Sequence, residues 1–154
     1  MIGRFISKTS GYQRVFEPRP GRRFPDDSWV KPVSARGPWV VDQALVVLVD
    51  RWTGSMGEGM AIGLDALDRA EIVGTRMAAL LGGVGTFTLP RTGVAVRFPI
   101  ERLYHLDGTP REAFVPRIEV EGRAAGSDPV LEAGLTALRA RLARAPQGGV
   151  SGSQ

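Results

Sequence analysis

Residues 53–58 read Thr-Gly-Ser-Met-Gly-Glu, and they follow the apolar run Val46-Val47-Leu48-Val49. A sharp, glycine-flanked turn between a strand and a helix can hold a hydroxyl bare at the mouth of a cleft. Main-chain N–H groups then stand beside it. A serine nucleophile needs both, because the attacked carbonyl oxygen gains negative charge that donors must stabilise. Ser55 would be the nucleophile and the Met56 N–H an oxyanion donor. The same residues also spell a capping box. In that reading Ser55 Oγ accepts from the Glu58 N–H, and the Glu58 carboxylate accepts from the Ser55 N–H. The two roles lie close together in space, since a helix N-terminus favours negative charge in either case.

Other groups that could do chemistry are few. Glu112 reads from pattern alone as a solvated loop carboxylate. His105, the single histidine, reads as structural unless it lies within about 3 Å of Ser55 Oγ, directly or through one water. Gly82-Gly83-Val84-Gly85 lacks the Gly-Lys-[Ser/Thr] ending of a phosphate loop. It reads instead as a flexible cleft rim that a peptide backbone can approach closely. There are no cysteines, which excludes disulfides, thiolate zinc sites and a cysteine nucleophile. One histidine excludes a metal site built on several. No cofactor and no metal are expected.

These groups must be positioned by a small body. A chain of 154 residues with 43% hydrophobic content can build one modest core, so one domain is expected. No apolar run approaches the roughly 20 residues of a membrane span, and the N-terminus does not read as a signal peptide. The residues name no compartment. Residues 1–36 hold eight basic residues against three acidic ones. Their arginines show neither helical spacing nor interleaved stacking aromatics, so a solvated lead-in is expected and nucleic acid is not.

Residues 1–37 are rich in Pro, Gly and Arg and predict short strands and loops, a basic lead-in and not a separate domain. Ala44–Val49 predicts a strand covered on both faces, as in a parallel sheet. Met56, Met60, Leu64 and Leu67 recur at helical spacing and predict one apolar stripe. Glu71–Thr75 predicts the next strand, giving a βαβ crossover. Thr86–Leu89 and Val94–Ile100 alternate around the turn Pro90–Gly93 and predict a hairpin. Val94, Val96, Phe98 and Ile100 share one of its faces. Arg117–Glu121 predicts a short strand. Asp128 caps a last helix with Pro129 at its first position, and Leu131, Leu135, Leu138 and Leu142 predict its buried stripe. Residues 146–154 predict a disordered tail.

Several of these motifs fall in a familiar order. Thr53–Glu58 matches a T-x-S-x-x-E turn. Val73-Gly74-Thr75-Arg76-Met77-Ala78-Ala79 is similar to V-G-x-x-T-x-G. Asp107-Gly108 runs through Glu112 to Pro116 and Val120, and Asp128-Pro129-Val130-Leu131 opens a closing helix. Over residues ~40–143 the chain resembles the latter half of the catalytic domain of C-terminal processing (tail-specific) serine peptidases, including their tricorn-like branch. The resemblance implies an α/β fold, a ClpP/crotonase-like twisted sheet with flanking helices, present as a partial domain spanning residues 38–145. It implies that Ser55 is a nucleophile, that Glu112 is an accessory carboxylate, and that the substrate is an extended polypeptide. Members are often extracytoplasmic.

Three departures limit what carries over. The lysine of the family's dyad branch matches Leu80, and the only lysines are Lys8 and Lys31. No histidine precedes Ser55, as the tricorn-like branch would require. The glycine-rich strand-turn that supplies a second oxyanion donor has no counterpart here. The expected function is serine-type peptide hydrolysis, incomplete without an upstream half-domain or a second copy. The alternatives are an inactive peptide-binding relative and a crotonase-like acyl-thioester enzyme.

Overall fold

The computed structural model describes residues 1–121 and 126–144. The tail expected over 146–154 lies outside the described residues. The strand that leads to the serine is β3, Val46–Val49; β1 is Ser10–Phe16 and β2 is Trp29–Val33. Helix α1, Met56–Ala66, follows the serine, and β4 is Glu71–Gly74. The remaining strands are β5, Val84–Thr88; β6, Ala95–Pro99; β7, Arg102–Tyr104; and β8, Ile118–Glu119. Helix α2, Pro129–Arg144, comes last.

β3, α1 and β4 form the expected crossover. β3 and β4 run parallel with Val47 opposite Ile72 and Val49 opposite Gly74, and β8 adds to β4, also parallel. Side chains alternate across such a sheet. Val49 and Ile72 join Ala61, Ile62 and Leu64 of α1 in the core. On the other face Leu48 packs against Gly134 of α2 so closely that a Cβ at Gly134 would collide with it. β4 is therefore covered on both sides, and its Ile72 and Val73 are fully buried. β3 is the outer strand of its sheet, and Leu48 stays largely exposed.

The basic lead-in forms a second layer on α1. β1 pairs antiparallel with β2 on one side and with β7 on the other. Glycines on one face of α1 admit this sheet. A Cβ at Gly63 would meet Tyr12 at 2.7 Å, and Gly59 O accepts from Gln13 Nε2 at 3.4 Å. Helix α1 is thus held between two sheets, which explains why seven of its eleven residues are buried.

One expected stripe holds except at its head and the other fails. Met56 heads the predicted stripe of α1 but is 81% exposed, whereas Leu64 is buried and Met60 and Leu67 pack against the core. In α2 the buried residues are Gly134 and Ala137, while Leu131, Leu135 and Leu142 are exposed. The helix docks through small residues that allow close approach to β3, which turns the leucine row away by about one residue. Burying the larger side chains would force the helix off the sheet.

β5 and β6 form the predicted hairpin as a separate two-stranded sheet. Phe87, Leu89, Val94, Val96, Phe98 and Ile100 are all exposed on it. Among the described residues no helix is long and apolar enough to cross a membrane.

Candidate active site

The corner after β3 is built by Asp50, Trp52 and Thr53. The Asp50 N–H donates to Thr53 Oγ1 at 3.0 Å, the Trp52 N–H to Asp50 Oδ1 at 2.9 Å, and the Thr53 N–H to Asp50 O at 2.9 Å. The chain so reverses and releases Ser55 at φ 51°, ψ −110°. Non-glycine residues avoid this half of backbone space, at a cost of order 1–3 kcal/mol, and hold it where the surroundings impose it. A serine on a strained strand-to-helix corner has its Oγ thrust outward. Ser55 is exposed.

Both arms of the capping box are in place. Glu58 Oε2 accepts from the Ser55 N–H at 2.8 Å. Ser55 Oγ faces the Glu58 N–H from the other side without closing a full cap hydrogen bond. The Met56 N–H is the first of the helix and has no acceptor among the described residues. It lies next to Ser55 where an oxyanion donor would have to be.

Glu58 is fully buried, and its second oxygen accepts from the Leu80 N–H at 3.1 Å. Arg111, 4% exposed, stands 3.7 Å from the same carboxylate. Its Nε donates to Leu80 O at 2.6 Å and its Nη1 to Ser55 O at 3.5 Å. Burial pushes the Arg111 guanidinium down from its ordinary range, and the carboxylates of Glu58 and Glu112 push it back up. Sequence reasoning missed Arg111, because no local pattern separates it from the other arginines. Its burial depends on the 3-10 turn Arg111–Ala113 docking beside α1, a long-range event.

Glu112 is held by a second arginine. Its Oε1 is paired with Arg102 Nη2, and its Oε2 is buried without a partner among the described residues. His105 lies beyond β7, with Nε2 3.3 Å from Asp65 Oδ2 and Nδ1 3.0 Å from Asp107 Oδ1. Asp65 is in the last turn of α1, ten residues from Ser55 and about 15 Å along the axis. His105 therefore has no reach to the hydroxyl.

The loop after β4 completes the corner. Gly74, at φ 141°, passes so close to Val49 O that any Cβ would collide with it. The Thr75 N–H donates to Val49 O at 3.1 Å, and the Ala78 N–H to Thr53 O at 3.0 Å. The loop then lays Leu80 over Gly54, 3.5 Å from where a Cβ there would stand. Trp52, Met56, Leu80 and Leu81 leave an exposed apolar surface around the serine. An open cleft of 680 Å³ lies on the other side, at the C-terminal ends of β3 and β4, lined by Asp50, Thr53, Thr75 and Asp128. Ser55 is not in its wall. Among the described residues no group of three or more His, Asp or Glu could hold a metal ion.

Residues 7–120 match the sequence pattern of peptidase family S41. No curated protein matches the chain. Solved structures share its fold at low identity. A candidate peptidase from Parabacteroides merdae is similar over 88% of this chain and 45% of its own, at 18% identity and a TM-score of 0.70. The photosystem II D1 C-terminal processing protease matches over 90% of this chain and 33% of its own, at 21% identity and a TM-score of 0.59. Mature CPAF matches over 70% and 21%, at 23% identity and a TM-score of 0.55. The chain thus spans less than half the length of these proteins.

Proposed function

The chain belongs to peptidase family S41, and from that premise we propose that it carries the nucleophile half of a serine peptidase site, with Ser55 as the attacking residue. One observation carries this reading. Ser55 is held at φ 51° on an exposed strand-to-helix corner, and its hydroxyl faces the Glu58 N–H without a full cap hydrogen bond. A serine serving only as a cap would hold its Oγ on the Glu58 N–H at an ordinary backbone angle.

The chemistry follows from the corner. Ser55 Oγ attacks a peptide carbonyl, and a C–O bond forms. The Met56 N–H donates to the oxyanion. Collapse breaks the C–N bond, and the serine proton passes through a base to the leaving amine. Water then hydrolyses the acyl-serine and restores the hydroxyl. The base and a second oxyanion donor come from outside the described residues. Lacking one such donor typically costs about 2.7–4 kcal/mol of barrier. An upstream half-domain or a second copy of the chain fits this need. Glu112, set in place by Arg102, is the accessory carboxylate of this reading. The substrate is an extended polypeptide, which can add as a strand beside an open sheet edge.

Labelling with a fluorophosphonate, followed by peptide mass spectrometry, tests the proposal. An adduct on Ser55 that is lost in Ser55→Ala is the expected result. An unlabelled Ser55, in the chain alone and after mixing with an S41 upstream half, overturns it and leaves an inert peptide-binding relative.

A further inference from the structure

Two buried, oppositely charged side chains grip the same two stretches of main chain. Glu58 accepts from the N–H groups of Ser55 and Leu80, at 2.8 and 3.1 Å. Arg111 donates to the carbonyls of the same two residues, at 3.5 and 2.6 Å. The carboxylate and guanidinium are 3.7 Å apart and almost wholly excluded from solvent.

We propose that Arg111 is a positioning residue for the reaction, locking the strained Ser55 corner and the 77–83 loop into one rigid unit through its bonds to both carbonyls. The inference rests on the peptidase reading of Ser55. The physical case is as follows. A residue at φ 51° relaxes unless its surroundings over-determine it. The Ser55 N–H is fixed by Glu58, and its carbonyl takes the first helical bond, from the Gly59 N–H at 3.0 Å. Both of those bonds tie the corner to α1 alone, and Arg111 adds the link from the same carbonyl to Leu80 O and so to the loop. A planar guanidinium suits the task, because its fork reaches two acceptors in fixed geometry, which an ammonium does not. The partner is also set. Taking Glu58 out of water demands a cation, and breaking such a buried pair leaves an uncompensated charge. One Arg111 nitrogen, Nη2, is buried with no acceptor among the described residues. Packing alone does not explain a guanidinium so placed.

The loop is the second half of the argument. Leu80 lies over Gly54 and has both its N–H and its carbonyl held by this pair. The wall beside the nucleophile is thereby set at a fixed distance from the hydroxyl. A displacement of about 1 Å at such a site typically costs 100-fold in rate.

The test uses the full chain, in the preparation that labels with fluorophosphonate, and three variants. Arg111→Lys keeps the charge and loses the fork. Arg111→Ala removes both. Val15→Ala is a control that opens the core at β1, away from the corner. Measured are the acylation rate of Ser55, the thermal midpoint, and amide exchange at Ser55 and Leu80. The expected result is a loss of acylation of about 100-fold in Arg111→Ala and at least about 10-fold in Arg111→Lys. Leu80 exchange should quicken in both. Val15→Ala should lower the midpoint and keep its acylation rate. If Arg111→Ala does not fold, Arg111→Lys alone decides. Acylation at the wild-type rate in Arg111→Lys, or a rate that falls equally in Val15→Ala, overturns the inference. If the wild type never labels, the peptidase reading is what has failed. The clamp then stands or falls on amide exchange alone. Faster exchange at Leu80 in Arg111→Lys at an unchanged midpoint upholds it, and unchanged exchange overturns it.

Discussion

The Ser55 N–H donates to Glu58 Oε2 at 2.8 Å, and Ser55 Oγ returns no full cap hydrogen bond. Both arms of the capping box are in place, and the glutamate's is the stronger. The glutamate bonds the serine's main chain, whereas the serine's hydroxyl only faces the Glu58 N–H. That asymmetry bears directly on what substitutions at the corner do.

Ser55→Gly should stabilise the chain while abolishing fluorophosphonate labelling. Glycine adopts φ 51° without the penalty a side chain incurs, and the lost hydroxyl breaks no full cap hydrogen bond. The expected gain is about 0.5–1 kcal/mol, or a rise of about 2–4 °C in the thermal midpoint. Calorimetry on the pair checks it. A midpoint that falls by several degrees would mean that the hydroxyl holds the helix after all.

Gly74→Ala should cost about 3 kcal/mol or more. The new Cβ would be driven into Val49 O at a φ of 141°, and neither backbone can give way without parting β3 from β4. Urea unfolding measures the loss. Gly93→Ala, whose Cβ would meet nothing within 4 Å at φ 70°, should cost only the conformational penalty of about 1–2 kcal/mol.

Asp107 sets part of the acid limb of stability. Burial alone pushes its carboxyl up, but the main-chain and side-chain hydrogen bonds of Thr109 and the contact with His105 hold it below its ordinary value of 3.8. A carboxyl whose folded value is depressed stabilises the fold above the unfolded value. That contribution is lost as pH falls from about 4 through the folded value. Its side chain is 61% exposed, so the effect is small. Asp107→Asn should flatten the loss of stability between about pH 4 and pH 2, read from urea midpoints across that range. An unchanged slope would refute it.

On α2, Leu135→Gln should change stability by less than about 0.5 kcal/mol, whereas Ala137→Gln should cost about 1–3 kcal/mol by overpacking. Chemical unfolding of the two compares the faces directly. The reverse order would restore the leucine row as the docking face.

The crossover, the hairpin and the Asp128 cap were legible because each is written in a few adjacent residues. Leu131 N–H donating to Asp128 Oδ1 at 3.0 Å is such a local event. The docking face of α2 was not legible. Spacing reveals an apolar stripe, but whether a helix seats its leucines or its glycine and alanine depends on how near the sheet must come. The core partners of Val15 and Tyr12 were hidden too, since β1 meets α1 across more than forty residues of chain. At the corner, Ser55, Met56 and Glu58 could be read together because they share one turn. Arg111 could not, because its role exists only once the 3-10 turn, the loop at Leu80 and the corner have met. His105 shows the reverse case. Its residue type invited a chemical role, and its place at the far end of α1 denies it.

β3 is the outermost strand of its sheet and also the arm that carries the serine. Among the described residues its rim is an unpaired ladder, with main-chain donors and acceptors spaced to receive a neighbour about 4.8 Å away. Whatever docks there touches the backbone of the strand that leads to Ser55. A strand added there would bond directly to the backbone that runs into the Ser55 corner.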